Sequence, residues 1–152
     1  MALPWKRFVA LGDSMTEGVG DPRPDGGLRG WADRLAKALV TADEGISYTN
    51  LARRGLQTEE VRAQQLEAAL ALRPDLSSAL VGMNDLLDPN FDPSRYEREL
   101  GTIVGPLRET GALVLMATFP DITAFSPLPA RFTTGIRNRL RAASEAVRLV
   151  SA

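Results

Sequence analysis

The chain has 152 residues, 44% of them hydrophobic and 24% charged, which is enough for one domain with its own core and too apolar for a disordered chain. Eighteen basic residues against nineteen acidic ones leave a net charge of −1, without the basic excess that nucleic-acid or anionic-membrane binding requires. There is no cysteine and no histidine, which excludes disulfides, thiol nucleophiles and thiolate metal sites, and removes the commonest general base and metal ligand.

Near the start, Lys6-Arg7 runs through a short apolar stretch straight into Gly12-Asp13-Ser14, with no cleavage-site pattern, so the sequence predicts a cytoplasmic protein. No apolar run reaches the roughly 18 residues of a membrane span. Phe8-Val9-Ala10-Leu11 reads as a buried strand of a parallel sheet. A loop rich in Gly, Pro and Asp follows to Gly30, and Trp31, Leu35, Ala38 and Leu39 then recur at helical spacing to about Val40. Ile46 to Leu51 alternates as a second strand. Thr58 is the expected N-cap of a second helix, with Val61, Leu66, Ala69 and Leu72 as its stripe and Arg73-Pro74 as its close. A third strand runs from Leu76 to Val81 and ends at Gly82-Met83-Asn84-Asp85. A third helix opens at Asp92-Pro93-Ser94, with Ser94 and Glu97 at capping-box spacing and Gly111 as the C′ residue.

Ala112 to Thr118, apolar on both faces, is the fourth strand and reads as a central one. The last helix carries Ile136, Leu140, Ala143 and Val147 on one face, with Arg137, Arg139, Arg141 and Arg148 expected on its solvated side. Four strands alternating with helices predict a single α/β domain over 1–152, with three layers and a parallel sheet. A helix after a strand is normally a crossover to the next parallel strand. Here it meets no fifth strand, so the element order predicts a domain incomplete at its C-terminal end, with an open sheet edge able to pair with another chain.

In open α/β sheets the ligand lies at the carboxyl ends of the strands, beside the point where strand order reverses. With strand order 2-1-3-4, Gly12-Asp13-Ser14, Gly55 and Gly82-Met83-Asn84-Asp85 meet there. Alone, Ser14, Gly55 and Asn84 are each ordinary turn or cap residues. Together, after three consecutive strands, they offer a hydroxyl nucleophile and donors for an acyl oxyanion.

Gly12-Asp13-Ser14-Met15-Thr16-Glu17-Gly18, Asn50-Leu51-Ala52-Arg53-Arg54-Gly55 and Val81-Gly82-Met83-Asn84-Asp85 resemble, in order, the first three sequence blocks of the SGNH (GDSL) hydrolases. The resemblance implies a flavodoxin-like α/β/α sandwich and an esterase, lipase, thioesterase or deacetylase acting on a small acyl ester without metal or cofactor. It implies Ser14 as nucleophile, and the Ser14 N–H, the Gly55 N–H and the Asn84 side chain as the oxyanion hole. The family's fourth block, Asp-x-x-His, has no counterpart in a chain without histidine, so these 152 residues are expected to be nearly inactive alone. Two other readings compete. One is an inactive, partner-binding remnant of such an enzyme. The other is a phosphate- or flavin-binding module built on Ser14-x-Thr16 and Gly18, against which Glu17 and the missing phosphate-loop motifs count. Trp31, Met15, Met83, Phe119 and Phe125 are candidates to line the substrate pocket.

Overall fold

The computed structural model describes residues 2–125 and 129–152. Strand β1 (Arg7–Gly12) is followed by a one-turn helix α1 (Ser14–Glu17), helix α2 (Trp31–Ala42) and strand β2 (Ser47–Asn50). Helix α3 (Thr58–Ala71), strand β3 (Leu76–Leu80), the short helix α4 (Met83–Leu87), helix α5 (Pro93–Glu109), strand β4 (Leu113–Leu115), a single 3-10 turn (Ile122–Phe125) and helix α6 (Ala130–Ser151) complete the order. The four strands are all parallel and lie in the order β2-β1-β3-β4, as the sequence predicts.

Because side chains alternate along a strand, β1 feeds two separate cores. Val9 and Leu11 face α3, α5 and α6, where Leu100, Ile103, Val104 and Leu107 of α5 and Leu140, Ala143 and Val147 of α6 are buried. Phe8 and Ala10 face α2, whose Ala32 and Ala36 are buried and whose Trp31, Leu35 and Leu39 are half-buried. The sheet is thus the middle of three layers.

Several boundaries differ from the sequence reading, each for a physical reason. The N-cap of α3 is Gln57, whose main-chain N–H donates to Glu60, and Thr58 is the first helical residue with its hydroxyl committed elsewhere. The stripe of α3 is Thr58, Val61, Gln65 and Ala69, while Leu72 lies 40% exposed beyond the helix. Asp92, not Ser94, caps α5: its carboxylate accepts from the N–H groups of Ser94 and Arg95, and Pro93 takes the first helical position, where a missing N–H costs nothing. Gly111 follows the C-cap Thr110 with φ +86°, the left-handed geometry expected of a C′ glycine. The fourth strand is only Leu113–Leu115, paired with β3 alone, and Leu113 is 49% exposed. It is therefore an edge strand among the described residues, not a central one. Arg141 and Arg148 are exposed as expected, but Arg137 binds Asp121 and Thr123, and Arg139 donates to the carbonyls of Leu86, Asp88 and Pro89. These two arginines tie α6 to neighbouring loops, and the helix needs their long stems to reach them.

Candidate active site

The turn after β1 is built around Gly12, which holds φ +153° where a Cβ would stand 2.4 Å from the Leu80 carbonyl oxygen. Only glycine fits so close to another backbone. Gln65, 2% exposed in the middle of α3, grips both main-chain groups of this residue: the Gly12 N–H donates to Gln65 Oε1, and Gln65 Nε2 donates to the Gly12 carbonyl, both at 2.9 Å. Asp13 then caps α1, its carboxylate accepting from the Met15 N–H at 3.1 Å. Ser14 is the first residue of that helix and is half-buried. Gly18, at φ +94°, closes the turn by donating its N–H to the Ser14 carbonyl.

After β2, Asn50 reaches back to the same turn, with its Nδ2 donating to the Thr16 carbonyl at 2.8 Å while its Oδ1 accepts from the Ala52 N–H. Gly55 follows in an exposed loop at φ +83°. After β3, Gly82 adopts φ +125° with a Cβ position only 2.6 Å from the Tyr96 ring, and the Tyr96 hydroxyl donates to the Val81 carbonyl at 3.0 Å. Asn84 stands in α4, half-buried, and its Nδ2 donates to the Leu56 carbonyl at 2.9 Å. That bond uses one amide hydrogen, and an asparagine carries two.

Ser14, Gly55 and Asn84 thus follow three neighbouring parallel strands at the same end of the sheet. The Arg54–Glu17 pair links the Gly55 loop to α1, and the Asn84–Leu56 bond links the same loop to α4. Beside them lies a small cleft bounded by Asp13, Met15, Val81, Met83, Phe119 and Pro120. Of the expected lining residues, Met15, Met83 and Phe119 are on this cleft. Trp31 is not: its indole N–H donates to Thr16 Oγ1 at 3.3 Å and its ring packs on the α2 side of the sheet. The Phe125 side chain lies outside the described residues.

Two carboxylates sit close behind these turns. Asp13 is 1% exposed, and burial, with repulsion from Asp85 added, pushes its pKa up against the pull of its backbone donors. Burial also pushes Asp85 up, although it accepts from the Thr58 N–H and hydroxyl. Glu17, by contrast, is held low by its hydrogen bonds to Arg54. Among the described residues no group of three or more acidic side chains is arranged to hold a metal ion, and no helix is long and apolar enough to cross a membrane.

The sequence reading missed Gln65, Tyr96 and the Glu17–Arg54 pair. Gln65 did leave a signal: it is a polar residue at the i+4 position between Val61 and Ala69, in the stripe that packs on the sheet.

Residues 10–152 match the GDSL-like lipase/acylhydrolase family. Comparison with curated protein sequences gives no match. Among solved structures the chain is similar to TesA, at 26% identity and a TM-score of 0.69, over 96% of this chain and 73% of that one. It is also similar to a catalytic mutant of the acetylxylan esterase Axe2 from Geobacillus stearothermophilus (19% identity, TM-score 0.73, 97% of this chain and 74% of that one). A third similar structure is the lipase/acylhydrolase from Enterococcus faecalis (22% identity, TM-score 0.66, 96% and 73%).

Proposed function

We propose how this chain, which belongs to the GDSL-like lipase/acylhydrolase family, divides the work of ester hydrolysis among its own residues. Its reaction class is that of a serine ester hydrolase of the SGNH type. In our reading Ser14 Oγ attacks the acyl carbon. The Ser14 N–H, the Gly55 N–H and the free amide hydrogen of Asn84 receive the oxygen that becomes negative, and the acyl portion lies in the cleft of Met15, Met83 and Phe119. The observation that supports this reading is the hydrogen-bonded linkage of the loop carrying Gly55 to α1, which carries Ser14, and to α4, which carries Asn84. Fixed donors aimed at a developing oxyanion supply a large share of acyl-transfer catalysis, about 10²- to 10³-fold for a single donor.

The proton on Ser14 Oγ has no imidazole in these 152 residues to accept it. Asp13 and Asp85 do not replace one: each already accepts main-chain hydrogen bonds, and a carboxylate is a far weaker base than a serine alkoxide requires. Oxyanion stabilisation and binding alone retain roughly 10³- to 10⁴-fold over water in the subtilisin precedent, and loss of the nucleophile or base costs roughly 10⁶-fold. The test is p-nitrophenyl acetate hydrolysis by this chain and by Ser14→Ala, with and without added imidazole. A small Ser14-dependent rate that imidazole raises is the expected result. Identical rates for the two proteins under both conditions would overturn the assignment.

The edge of β4 belongs to the same reading as a place where a second copy pairs. Among the described residues it bonds only to β3, and half-exposed Leu113 marks it. Sedimentation velocity should show concentration-dependent association that Leu113→Lys weakens, and a monomer throughout would sink this part.

A further inference from the structure

Gly55 stands in open space. A Cβ built on it meets no atom within 4 Å, so nothing packs against the residue itself and its N–H is aimed only by what holds its neighbours. The loop leaves β2 under firm control: the Leu51 N–H donates to the Ala10 carbonyl, Ala52 to Asn50 Oδ1 and Arg53 to the Gly12 carbonyl. It enters α3 at Gln57, whose N–H is taken by Glu60. Between those anchors, among the described residues, two hydrogen-bonded contacts grip the main chain, one on each side of Gly55, while the Leu56 side chain packs against the core. On the far side, Asn84 Nδ2 donates to the Leu56 carbonyl. On the near side, Glu17 takes Arg54 by its main chain and its side chain at once. The Arg54 N–H donates to Oε2 at 2.7 Å, Nε lies 3.0 Å from Oε2, and a terminal guanidinium nitrogen lies 3.0 Å from Oε1.

Glu17 is the last residue of the single turn that Ser14 begins. That turn is closed by the Glu17 N–H on the Asp13 carbonyl and the Gly18 N–H on the Ser14 carbonyl. The nucleophile turn and the grip on Arg54 therefore move as one short rigid piece. We infer that Glu17 is a positioning residue: by clamping the Arg54 main chain to the Ser14 turn, it sets the Gly55 N–H and Ser14 to face the same carbonyl oxygen. This rests on the assignment of Ser14, Gly55 and Asn84 made above, and adds a residue that itself touches no substrate.

The stability of the pair is not the point. With Arg54 61% exposed, such a surface ion pair contributes little to folding. Its worth is geometric, because a bidentate guanidinium fork together with a main-chain bond fixes direction as well as distance. The clamp also predicts an asymmetry. Arg54→Ala leaves the main-chain N–H to bond Glu17, whereas Glu17→Ala releases both contacts.

The experiment measures the Ser14-dependent, imidazole-assisted hydrolysis of p-nitrophenyl acetate in the unmodified chain, Glu17→Ala, Glu17→Gln and Arg54→Ala. Each rate is corrected with the matching Ser14→Ala protein, and backbone amide order parameters are recorded in parallel. Glu17→Ala should lower kcat by about 10- to 100-fold, the range below complete loss of one oxyanion donor, with KM within about twofold. Glu17→Gln, which keeps an acceptor for the Arg54 N–H, should recover part of that loss, and Arg54→Ala should lose less than Glu17→Ala. The Gly55 amide should become mobile in Glu17→Ala while those of Phe8 to Leu11 stay rigid. An unchanged kcat, or a lost kcat with an unmoved Gly55 amide, overturns the inference. If the unmodified chain shows no Ser14-dependent turnover, the assignment of Ser14, Gly55 and Asn84 is what fails. The clamp is then decided by the Gly55 amide alone: mobility gained in Glu17→Ala upholds it and unchanged mobility refutes it.

Discussion

The two faces of the sheet are unequal. One is covered by α3, α5 and α6, and its α5 contributes four residues between 0% and 1% exposed. Among the described residues the other is covered by α2, where two alanines are fully buried and the larger side chains are half-buried. The carboxyl-end turns are held mainly from the first face. Gln65 of α3 grips Gly12, and Tyr96 of α5 both carries the Val81 carbonyl and fills the space beside Gly82. From the second face comes the Trp31–Thr16 hydrogen bond. The lesson is that a site at the end of a sheet inherits its rigidity from the better-packed side.

The largest test of that asymmetry is a pair of truncations. Leu100→Ala, on the α5 side, removes a side chain 1% exposed and should cost about 3 kcal/mol, within the roughly 2–5 kcal/mol typical of a cavity in a close-packed core. Leu35→Ala, half-buried on α2, should cost about 1 kcal/mol, since less area leaves water and solvent can fill the gap. Urea unfolding of both variants gives the comparison directly. Equal losses would mean that the α2 layer carries as much of the fold as the other, and the asymmetry would be broken.

A smaller effect lies between the faces, at Asp13. Its folded pKa is raised, so in the pH window between the ordinary value of 3.8 and that raised value the folded chain holds a proton that the unfolded chain has lost. Stability contributed by this group therefore falls as pH climbs through the window and stays lower above it. Asp85 acts in the same sense. Asp43, held down to about 2 by Lys6, acts in the opposite sense, losing its contribution only as pH drops below the ordinary carboxylate range. Asp13→Asn keeps an oxygen for the Met15 N–H and removes the buried charge, and asparagine caps helices as well as aspartate does. Thermal melts should show a higher Tm at pH 7 and a flatter decline of stability above pH 4. A lower Tm at pH 7 would show that the charge itself, not its burial, governs this turn.

Much of this architecture is legible in the sequence because it rests on local rules. The apolar run Phe8 to Leu11, the helical spacing from Trp31 and the position of Gly111 each follow from pattern and backbone chemistry, and the structure agrees with them. The strand order was also legible, since parallel strands joined by helices leave few arrangements. What the sequence could not show was set by partners distant along the chain. Ala112 to Thr118 has strand-like chemistry throughout, but among the described residues only Leu113 to Leu115 finds a neighbouring strand to pair with. Thr58 looks like a cap because it precedes two glutamates, yet its hydroxyl is spent on Asp85, 27 residues away. The three candidate residues could be placed after their strands from spacing alone. The supports behind them could not, because Gln65 and Gly12 are 53 positions apart and Arg54 and Glu17 are 37.

The finest discrimination between the two faces comes from adjacent serines in the central strand β3. Ser77 and Ser78 are both 0% exposed and, by strand alternation, point to opposite sides. Ser77 pairs in register with Val9 on the α5 side, and its hydroxyl donates to the Val9 carbonyl at 2.8 Å. Ser78 pairs with Ala10 on the α2 side, and its hydroxyl has no hydrogen-bond partner among the described residues. Burying a hydroxyl without a partner costs on the order of 1–3 kcal/mol, while a satisfied one contributes about 1 kcal/mol net. Replacing each by alanine removes the same oxygen from two different accounts. Ser77→Ala should destabilise by about 1 kcal/mol, because a buried bond is lost and only a small void is left. Ser78→Ala should be neutral or stabilising by up to about 1 kcal/mol, because a desolvation penalty disappears with the group that caused it. The two substitutions are chemically identical and one residue apart, so their denatured states change alike and the difference between them reads the folded faces alone. Guanidinium midpoints that shift in opposite directions would show the tighter side satisfying its polar groups and the looser side leaving one stranded. If Ser78→Ala proves as costly as Ser77→Ala, its hydroxyl has found a partner such as a buried water, and the α2 face is better organised than its packing implies.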